Sequence, residues 1–288
     1  MVARVRRVLG TRAVGHTGTL DPFATGLLVA LVGRATRLAR FVEGQPKTYR
    51  ATLRLGLQTD TDDATGAPVG WRVPAEWPAE SEVRAALTGM VGTQMQRPPA
   101  FSAKHVDGER SHRLARRGVE VELAPVEVTI HAIELLAWRA PDAEFRVTVS
   151  PGTYVRAIAR DVGERLGLGA HLVELRRESI GELDVHDALP VADLTAAALR
   201  PPLAVLGKMP RVELDEAGRA YVQHGRAIAL PDGATGARGT YIALVQGEEL
   251  VAVAEVAGNG LQPIVVLASP VSHLPSPVSG NPSPASNG

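Results

Sequence analysis

The segment from Lys47 to Leu57 alternates apolar and polar side chains, and this pattern restricts the fold more than any other stretch of the chain. Threonine and arginine separate its apolar residues, which are Tyr49, Ala51, Leu53 and Leu55. A period of two is typical of a strand with one buried and one solvent-facing side. The chain must therefore contain a sheet whose apolar face is covered by another layer, and we expect the polar face of this strand to be basic.

Helix and strand patterns follow one another without a regular β-α-β repeat. Helical spacing predicts helices over residues 2–9, 34–43, 83–91 and 155–166. Strand patterns cover 145–149, 171–177 and the apolar run 27–32, which we expect to be buried on both faces. This mixture predicts an α+β fold for the larger part of the chain.

The length of 288 residues predicts about two domains. After residue 207 a short helical pattern at 215–224 is followed by short strand patterns near 241–245, 250–256 and 264–267. We therefore expect a first domain over residues 1–207 and a small β-rich domain over 208–268. Pro, Ser, Gly and Asn dominate residues 269–288, which predicts a disordered tail.

Composition excludes several classes of protein. The chain contains no cysteine, which rules out disulfides, cysteine-ligated zinc and iron-sulfur clusters. Up to Glu255 no uncharged stretch is longer than the twelve residues of Pro22–Gly33, fewer than the ~18 that a membrane-spanning helix needs, and the longer uncharged stretch after Glu255 is interrupted by prolines. The first residues lack the apolar core of a secretory signal. We therefore expect a cytoplasmic protein with no membrane segment.

Charge is unevenly distributed, although 31 basic residues balance 31 acidic ones. The first forty residues contain seven arginines and one acidic residue, Asp21. This excess predicts a face that binds a polyanion. Genome composition accounts for it equally well, because the whole chain has only three lysines.

Common catalytic motifs are missing. The eight histidines are scattered, without a His-Glu-x-x-His pair. There is also no phosphate-binding P-loop, no Rossmann glycine motif and no serine-hydrolase elbow. The sequence therefore predicts chemistry that uses no metal.

The segment from Gly15 to Gly26 is the strongest candidate for a site, because it places His16 and Asp21 in a glycine-rich loop beside the apolar run. The pattern alone leaves other interpretations open. Asp21-Pro22 also suits a turn or a helix cap, and His16 also suits a structural or exposed histidine.

Gly15-His16-Thr17-Gly18-Thr19-Leu20-Asp21-Pro22 resembles the catalytic signature of the bacterial tRNA pseudouridine-55 synthases, the TruB family. Four further motifs resemble that family in order and spacing, at residues 47–62, 98–104, 152–156 and 169–177. The resemblance covers roughly residues 1–200. It implies an α+β catalytic domain of pseudouridine-synthase type with a mixed, mostly antiparallel sheet. A looser match at residues 210–228 implies a PUA-like C-terminal domain.

The resemblance implies that the chain isomerises the T-loop uridine at position 55 of tRNA. Asp21 matches the family's nucleophile, Arg156 the arginine that pairs with it, and Tyr49 the tyrosine that stacks on the extruded base. These residue types suit those roles, because a carboxylate is ionised at neutral pH and a guanidinium offers a planar fork of donors. Neither a metal nor a cofactor is implied.

The resemblance also implies contacts with the substrate. His16 matches the histidine that inserts where the uridine leaves its stack, Leu175 matches the floor of the base pocket, and Tyr154 is expected to bind substrate as part of the arginine motif. Candidate phosphate contacts are Arg12, Arg34, Arg37 and the stretch 110–117. The expected partner is the T-arm of tRNA, and we expect a monomer.

One departure leaves alternatives open. The family's N-terminal strand and lysine-containing loop are not found before the first predicted helix. Their loss would expose a sheet edge and weaken the support of the nucleophile loop, so we expect either a start upstream of Met1, which we favour, or a weakened form. The competing functions are a tRNA-binding and folding protein with little turnover, and an enzyme that acts on a free nucleotide.

Overall fold

The computed structural model describes residues 1–102, 105–106, 109–110, 117, 123–230 and 237–267. The α-helices are α1 (Val2–Leu9), α2 (Ala39–Glu43), α3 (Glu80–Thr88), α4 (Val155–Arg165) and α5 (Glu216–Gln223). Strands of the first half are β1 (Val14–Thr17), β2 (Thr25–Gly26), β3 (Val29–Val32), β4 (Lys47–Leu55), β5 (Leu57–Thr59), β6 (Pro68–Trp71), β7 (Gly92–Gln96), β8 (His105–Val106) and β9 (Glu109–Arg110). Those of the second half are β10 (Val126–Arg139), β11 (Asp142–Val149), β12 (Ala170–Ile180), β13 (Leu183–Asp184), β14 (Arg211–Glu213), β15 (Ile228–Ala229), β16 (Tyr241–Gln246), β17 (Glu249–Ala257) and β18 (Gly260–Val266).

Contacts between Cα atoms divide the chain into two compact units. One comprises residues 16–30 and 39–193, and the other comprises residues 1–15, 31–38 and the described part of 194–288. The domain limits at 207 and 268 stay predictions, and the tail predicted at 269–288 lies outside the described residues.

The unit that contains residues 39–193 is built on a seven-stranded sheet. Its strand order is β13-β12-β4-β11-β10-β7, and β2 pairs with β12 in addition. The β2–β12 pairing is parallel, whereas the pairings along the main path are antiparallel. The predicted fold class, α+β with a mixed and mostly antiparallel sheet, is confirmed.

The alternation in β4 gives this sheet two different faces. Ala51, Leu53 and Leu55 are at most 2% exposed, and they share a core with residues of α3 and α4. Arg50 and Arg54 lie on the opposite face, where they pair with two acidic residues of β11, Glu144 and Asp142. The basic residues predicted on this face are therefore neutralised by their cross-strand neighbours.

The apolar run at 27–32 differs from the prediction. Strand β3 begins only at Val29, and within the run Leu27 and Leu31 alone are buried. The strand pairs with β1 in a two-stranded sheet, which buries less of a strand than the interior of a large sheet does. The prediction of a strand buried on both faces was therefore wrong. The helix predicted at 34–43 is a 3₁₀ turn, Gly33–Leu38, followed by α2.

The described C-terminal residues form a second, five-stranded sheet in the order β14-β16-β17-β18-β15. The side chain of Asp215 caps α5 by accepting a hydrogen bond from the Gly218 N–H at 2.7 Å, and Val222 of this helix is buried. The predicted helix and strands of a small β-rich unit are thus present, while its PUA-like character stays a prediction. Within the described ranges, no helix has both the length and the apolar character needed to cross a membrane.

Candidate active site

Asp21 lies in the turn that joins β1 to β2, and its carboxylate faces the guanidinium of Arg156. Arg156 Nε donates to Asp21 Oδ2 at 2.9 Å, and Arg156 Nη2 donates to Asp21 Oδ1 at 3.0 Å. The side chain of Asp21 is 30% exposed, whereas that of Arg156 is 4% exposed. Two parallel charged hydrogen bonds fix the plane of the carboxylate. Asp21 is therefore held in one orientation and remains accessible from solvent.

Arg156 is itself held by two other segments of the chain. Its Nη1 donates to the Thr61 carbonyl oxygen at 2.7 Å, and its Nη2 donates to the Phe101 carbonyl oxygen at 3.0 Å. Asp63 Oδ2 lies 3.5 Å from Nη1. A buried guanidinium is stable only when its charge and its donors find partners. These contacts meet that requirement and leave the arginine little freedom to move.

A second ion pair lies beside the first. Asp62 Oδ2 accepts from Nη1 of Arg160, one helical turn after Arg156, at 3.0 Å. Asp62 is 6% exposed and has a left-handed backbone, with φ of 58°. Burial raises the pKa of Asp62 to about 6, although Arg160 and Arg156 oppose the rise. The acidic loop after β5 thus supports Arg156 and Arg160 of α4.

Arg177 of β12 connects the two ends of the loop that contains Asp21. This side chain is 1% exposed. Its Nε donates to the Leu27 carbonyl oxygen at 2.8 Å and its Nη2 donates to the Gly18 carbonyl oxygen at 3.1 Å. Gly26 packs on the backbone of Arg177 so closely that a Cβ atom there would collide with it. Strand β12 therefore fixes the position of the loop.

Tyr49 lies opposite Arg177 in the register of β4 and β12. Burial raises the pKa of the Tyr49 hydroxyl, a hydrogen bond and the charge of Arg177 lower it, and the Asp21 carboxylate raises it. Because the pKa of Tyr49 is raised overall, the hydroxyl is protonated at neutral pH. Arg177 thus acts both on Tyr49 and on the loop that contains Asp21.

Leu175 is buried on β12, next to Ala51 of β4 in the register. A cavity of about 450 Å³ is lined by Leu175 together with Phe23 and Thr25. Asp21, Tyr49 and Arg156 do not line this cavity, so it is not the space in front of the carboxylate.

The two other predicted substrate contacts, His16 and Tyr154, precede Asp21 and Arg156 in the sequence by five and two residues. His16 is half-buried in β1, and its Nδ1 has no hydrogen-bond partner among the described residues. Tyr154 precedes α4, and both of its backbone groups bond to the side chain of Gln96. Neither side chain makes a hydrogen bond to Asp21 or Arg156 in the described part of the chain.

The candidate phosphate contacts differ in the contacts they make within the protein and in whether their side chains are described. Arg12, Arg34 and Arg37 are all exposed, and Arg37 Nη1 in addition donates to the Val266 carbonyl oxygen at 2.7 Å. Within the stretch 110–117 only Arg117 has a described side chain, and Lys104 of the motif at 98–104 lies outside the described residues. No group of three or more metal-ligating side chains occurs in the described ranges.

The sequence patterns gave no role to three of the residues that build this site: Arg177, Asp63 and Gln96. A signal for Arg177 was available. It lies two residues after the apolar Leu175, so both side chains point to the same, buried face of β12. A charged residue on a buried strand face needs partners, and this one finds them in the loop that contains Asp21. Asp63 and Gln96 carry no comparable signal, because both act on a helix distant in the sequence.

Most of the chain matches proteins of known family. Residues 6–155 match the N-terminal domain of the TruB family pseudouridylate synthases, and residues 156–202 match the C-terminal domain of tRNA pseudouridylate synthase B. The chain is 42% identical over 278 residues to tRNA pseudouridine synthase B of Thermobifida fusca, which covers 93% of each protein. It is 41% identical over 263 residues to the protein of the same name from Aromatoleum aromaticum, covering 88% of this chain and 83% of that one.

A solved structure supports the fold. A chain in the crystal structure of a Cbf5-Nop10-Gar1 complex is similar with a TM-score of 0.71 at 24% identity, over 92% of this chain and 79% of that chain. Together with the matches across residues 6–202, the shared fold leads to one conclusion. The chain belongs to the TruB family of pseudouridylate synthases.

Proposed function

We propose that the chain converts the uridine at position 55 in the T-loop of tRNA to pseudouridine, with Asp21 as the nucleophile. The observation that carries this proposal is the carboxylate of Asp21, which is solvent-accessible and oriented by two hydrogen bonds from the buried Arg156. It is supported by relatives that are named tRNA pseudouridine synthase B.

In the proposed reaction, Asp21 attacks the target uridine and the bond between N1 of the base and C1′ of the ribose breaks. The base then turns and rejoins C1′ through C5, the bond to Asp21 breaks and restores the free carboxylate, C5 loses its hydrogen as a proton, and N1 takes up a proton. The product is an isomer of the substrate, so no atoms are gained or lost overall. Arg156 aims the carboxylate at the substrate before the attack, through its two hydrogen bonds.

Tyr49 and Leu175 contact the base in this proposal. The ring of Tyr49 stacks on the extruded uracil, and its protonated hydroxyl is available as a hydrogen-bond donor. Leu175 forms an apolar floor beneath the base. His16 enters the space that the uridine leaves in the T-loop, and Tyr154 binds the substrate beside Arg156.

The protein acts in this proposal as a cytoplasmic monomer on the T-arm. Exposed arginines such as Arg12 and Arg34 contact phosphates, and the C-terminal five-stranded unit provides further RNA contacts.

The test is the release of tritium from C5 of uridine in an unmodified tRNA transcript. We expect the wild-type chain to release it at position 55, the Asp21→Asn variant to release none, and the exposed control Asp193→Asn to behave as wild type. Binding of tRNA without release would instead indicate a tRNA-binding and folding protein. Equal release from a free uridine nucleotide would indicate a small-molecule enzyme.

A further inference from the structure

Gln96 is the last residue of β7, and its side-chain amide is buried against the start of α4. The residue is 1% exposed. The Tyr154 N–H donates to Gln96 Oε1 at 2.9 Å, and Gln96 Nε2 donates to the Tyr154 carbonyl oxygen at 3.1 Å. Gln96 therefore bonds both backbone groups of one residue, as a neighbouring strand would.

The residue held in this way precedes the helix that carries Arg156. Tyr154 is the N-cap of α4, with an extended backbone, and its own side chain makes no capping hydrogen bond. Its carbonyl oxygen also accepts the first helical hydrogen bond, from the Ile158 N–H at 3.3 Å. Arg156 follows only two residues later, so a displacement of Tyr154 also displaces Arg156.

The chain after Gln96 contacts the same helix at two more points. The Arg97 carbonyl oxygen accepts from Arg160 Nη2, and the Phe101 carbonyl oxygen accepts from Arg156 Nη2, each at 3.0 Å. Residues 96–101 thus contact α4 at its start and along its first turns. Among these contacts, the two made by Gln96 come from its side chain and can be removed by substitution.

The sheet does not require an amide at this position. Strand β7 pairs with β10 through backbone groups, with Gln96 opposite Val126. A buried amide must have its donor and acceptor satisfied, whereas an apolar side chain of the same size fills the space without that condition. The hydrogen bonds to Tyr154 are what an amide adds.

We propose that Gln96 is a positioning residue, which holds Arg156 through Tyr154 in the place from which it bonds Asp21. This inference rests on the proposed function for its effect on rate. A small displacement of Arg156 tilts or separates the two parallel hydrogen bonds to Asp21, and it lowers the rate of the chemical step without weakening the binding of tRNA.

The first test compares Gln96→Met with Gln94→Met, a matched substitution two residues earlier on the same strand. We expect Gln96→Met to lower the single-turnover rate of tritium release roughly 10- to 100-fold and to leave the Kd for tRNA within about threefold of wild type. Gln94→Met should change neither quantity. Equal rates for the two variants, or a loss of affinity as large as the loss of rate, would overturn the proposal.

The second test uses Gln96→Glu, which has nearly the same shape. The glutamate still accepts from the Tyr154 N–H, but as a carboxylate it places an oxygen against the Tyr154 carbonyl oxygen. Protonation restores a donor there, so we expect the rate relative to wild type to recover severalfold as the pH falls from about 8 to about 6. Gln96→Met should show no such recovery, and parallel pH profiles for wild type and Gln96→Glu would contradict the inference.

A third measurement does not depend on activity. Hydrogen exchange of the Tyr154 amide should be at least about tenfold faster in Gln96→Met than in wild type or Gln94→Met, because its acceptor is gone. If the wild-type chain releases no tritium, the proposed function fails, and this exchange rate alone decides whether Gln96 holds Tyr154. Unchanged exchange would show that it does not.

Discussion

Arg156 donates two parallel hydrogen bonds to Asp21, from Nε at 2.9 Å and from Nη2 at 3.0 Å, and the arginine side chain is almost completely buried. The two residues are separated by 135 positions in the sequence, so the tertiary fold alone brings them together. A carboxylate held in this way meets its substrate without having to reorient.

Replacing Arg156 with lysine should show how much the fixed orientation of the Asp21 carboxylate contributes to the reaction rate. Lysine keeps the charge, but its single ammonium group cannot form two coplanar hydrogen bonds to Asp21 and also reach the carbonyl oxygens of Thr61 and Phe101. We expect kcat to fall roughly 100-fold, equivalent to about 2.7 kcal/mol, with the Kd for tRNA nearly unchanged. Steady-state tritium release and filter binding measure the two quantities, and a kcat within threefold of wild type would show that charge alone suffices.

Replacing Arg177 with glutamine should affect both Tyr49 and the loop that contains Asp21. Because the charge and hydrogen bond of Arg177 lower the pKa of Tyr49, their removal should raise it further. Loss of the hydrogen bonds to Gly18 and Leu27 should also lower the free energy of unfolding by roughly 2–4 kcal/mol. Tyrosinate absorbance, with Tyr49→Phe as the reference in each background, reports the pKa, and urea unfolding reports the stability. An unchanged Tyr49 titration in a folded variant would contradict this account.

The sequence predicts those parts of the fold that depend on local periodicity. The alternation of Ala51, Leu53 and Leu55 identifies the buried face of β4, because a strand turns successive side chains to opposite sides. It does not reveal that acidic residues of β11 neutralise Arg50 and Arg54, since cross-strand neighbours depend on strand order. The prediction that the run at 27–32 is buried on both faces was wrong because apolar composition does not show how many layers will cover a strand.

The candidate site was predicted by resemblance rather than by pattern. The residue pattern left Asp21 open as a turn residue, and only the likeness to a known family linked it with Tyr49 and Arg156. Supporting residues such as Gln96 and Asp63 escaped prediction because they act through backbone groups or through other side chains. Such contacts exist only in the folded chain and have no signature of their own in the sequence.

Asp62 should make the free energy of unfolding fall as the pH rises. Its folded-state pKa of about 6 lies above the ordinary value of 3.8, so the folded protein binds this proton more tightly than the unfolded chain does. Its contribution to stability is therefore greatest at low pH and is lost as the pH rises from 3.8 to about 6. We expect wild type to lose about 2 kcal/mol relative to Asp62→Asn between about pH 4.5 and pH 7.5. Urea unfolding of both proteins measures this difference. A difference that does not vary with pH would show that Arg160 fully offsets the burial of the carboxyl.

Substitutions at Gly26 and Gly10 test how closely the loop that contains Asp21 packs against β12. Both residues have a positive φ, 96° at Gly26 and 61° at Gly10. A Cβ atom at Gly26 would collide with the backbone of Arg177, whereas one at Gly10 would have no described atom within 4 Å other than those of its chain neighbours. Gly10→Ala should therefore lower the free energy of unfolding by about 1–2 kcal/mol, for the backbone conformation alone, without affecting kcat.

Gly26→Ala combines the same backbone strain with a steric clash, and the total should reach roughly 3 kcal/mol or more. Because β2 must then separate from β12, the turn that carries Asp21 moves away from Arg156, and kcat should fall even at temperatures where the variant is fully folded. Urea unfolding and single-turnover tritium release, made on both variants, distinguish strain from displacement. If the two alanine variants lose stability equally and keep the wild-type kcat, the contact between Gly26 and Arg177 does not position the nucleophile.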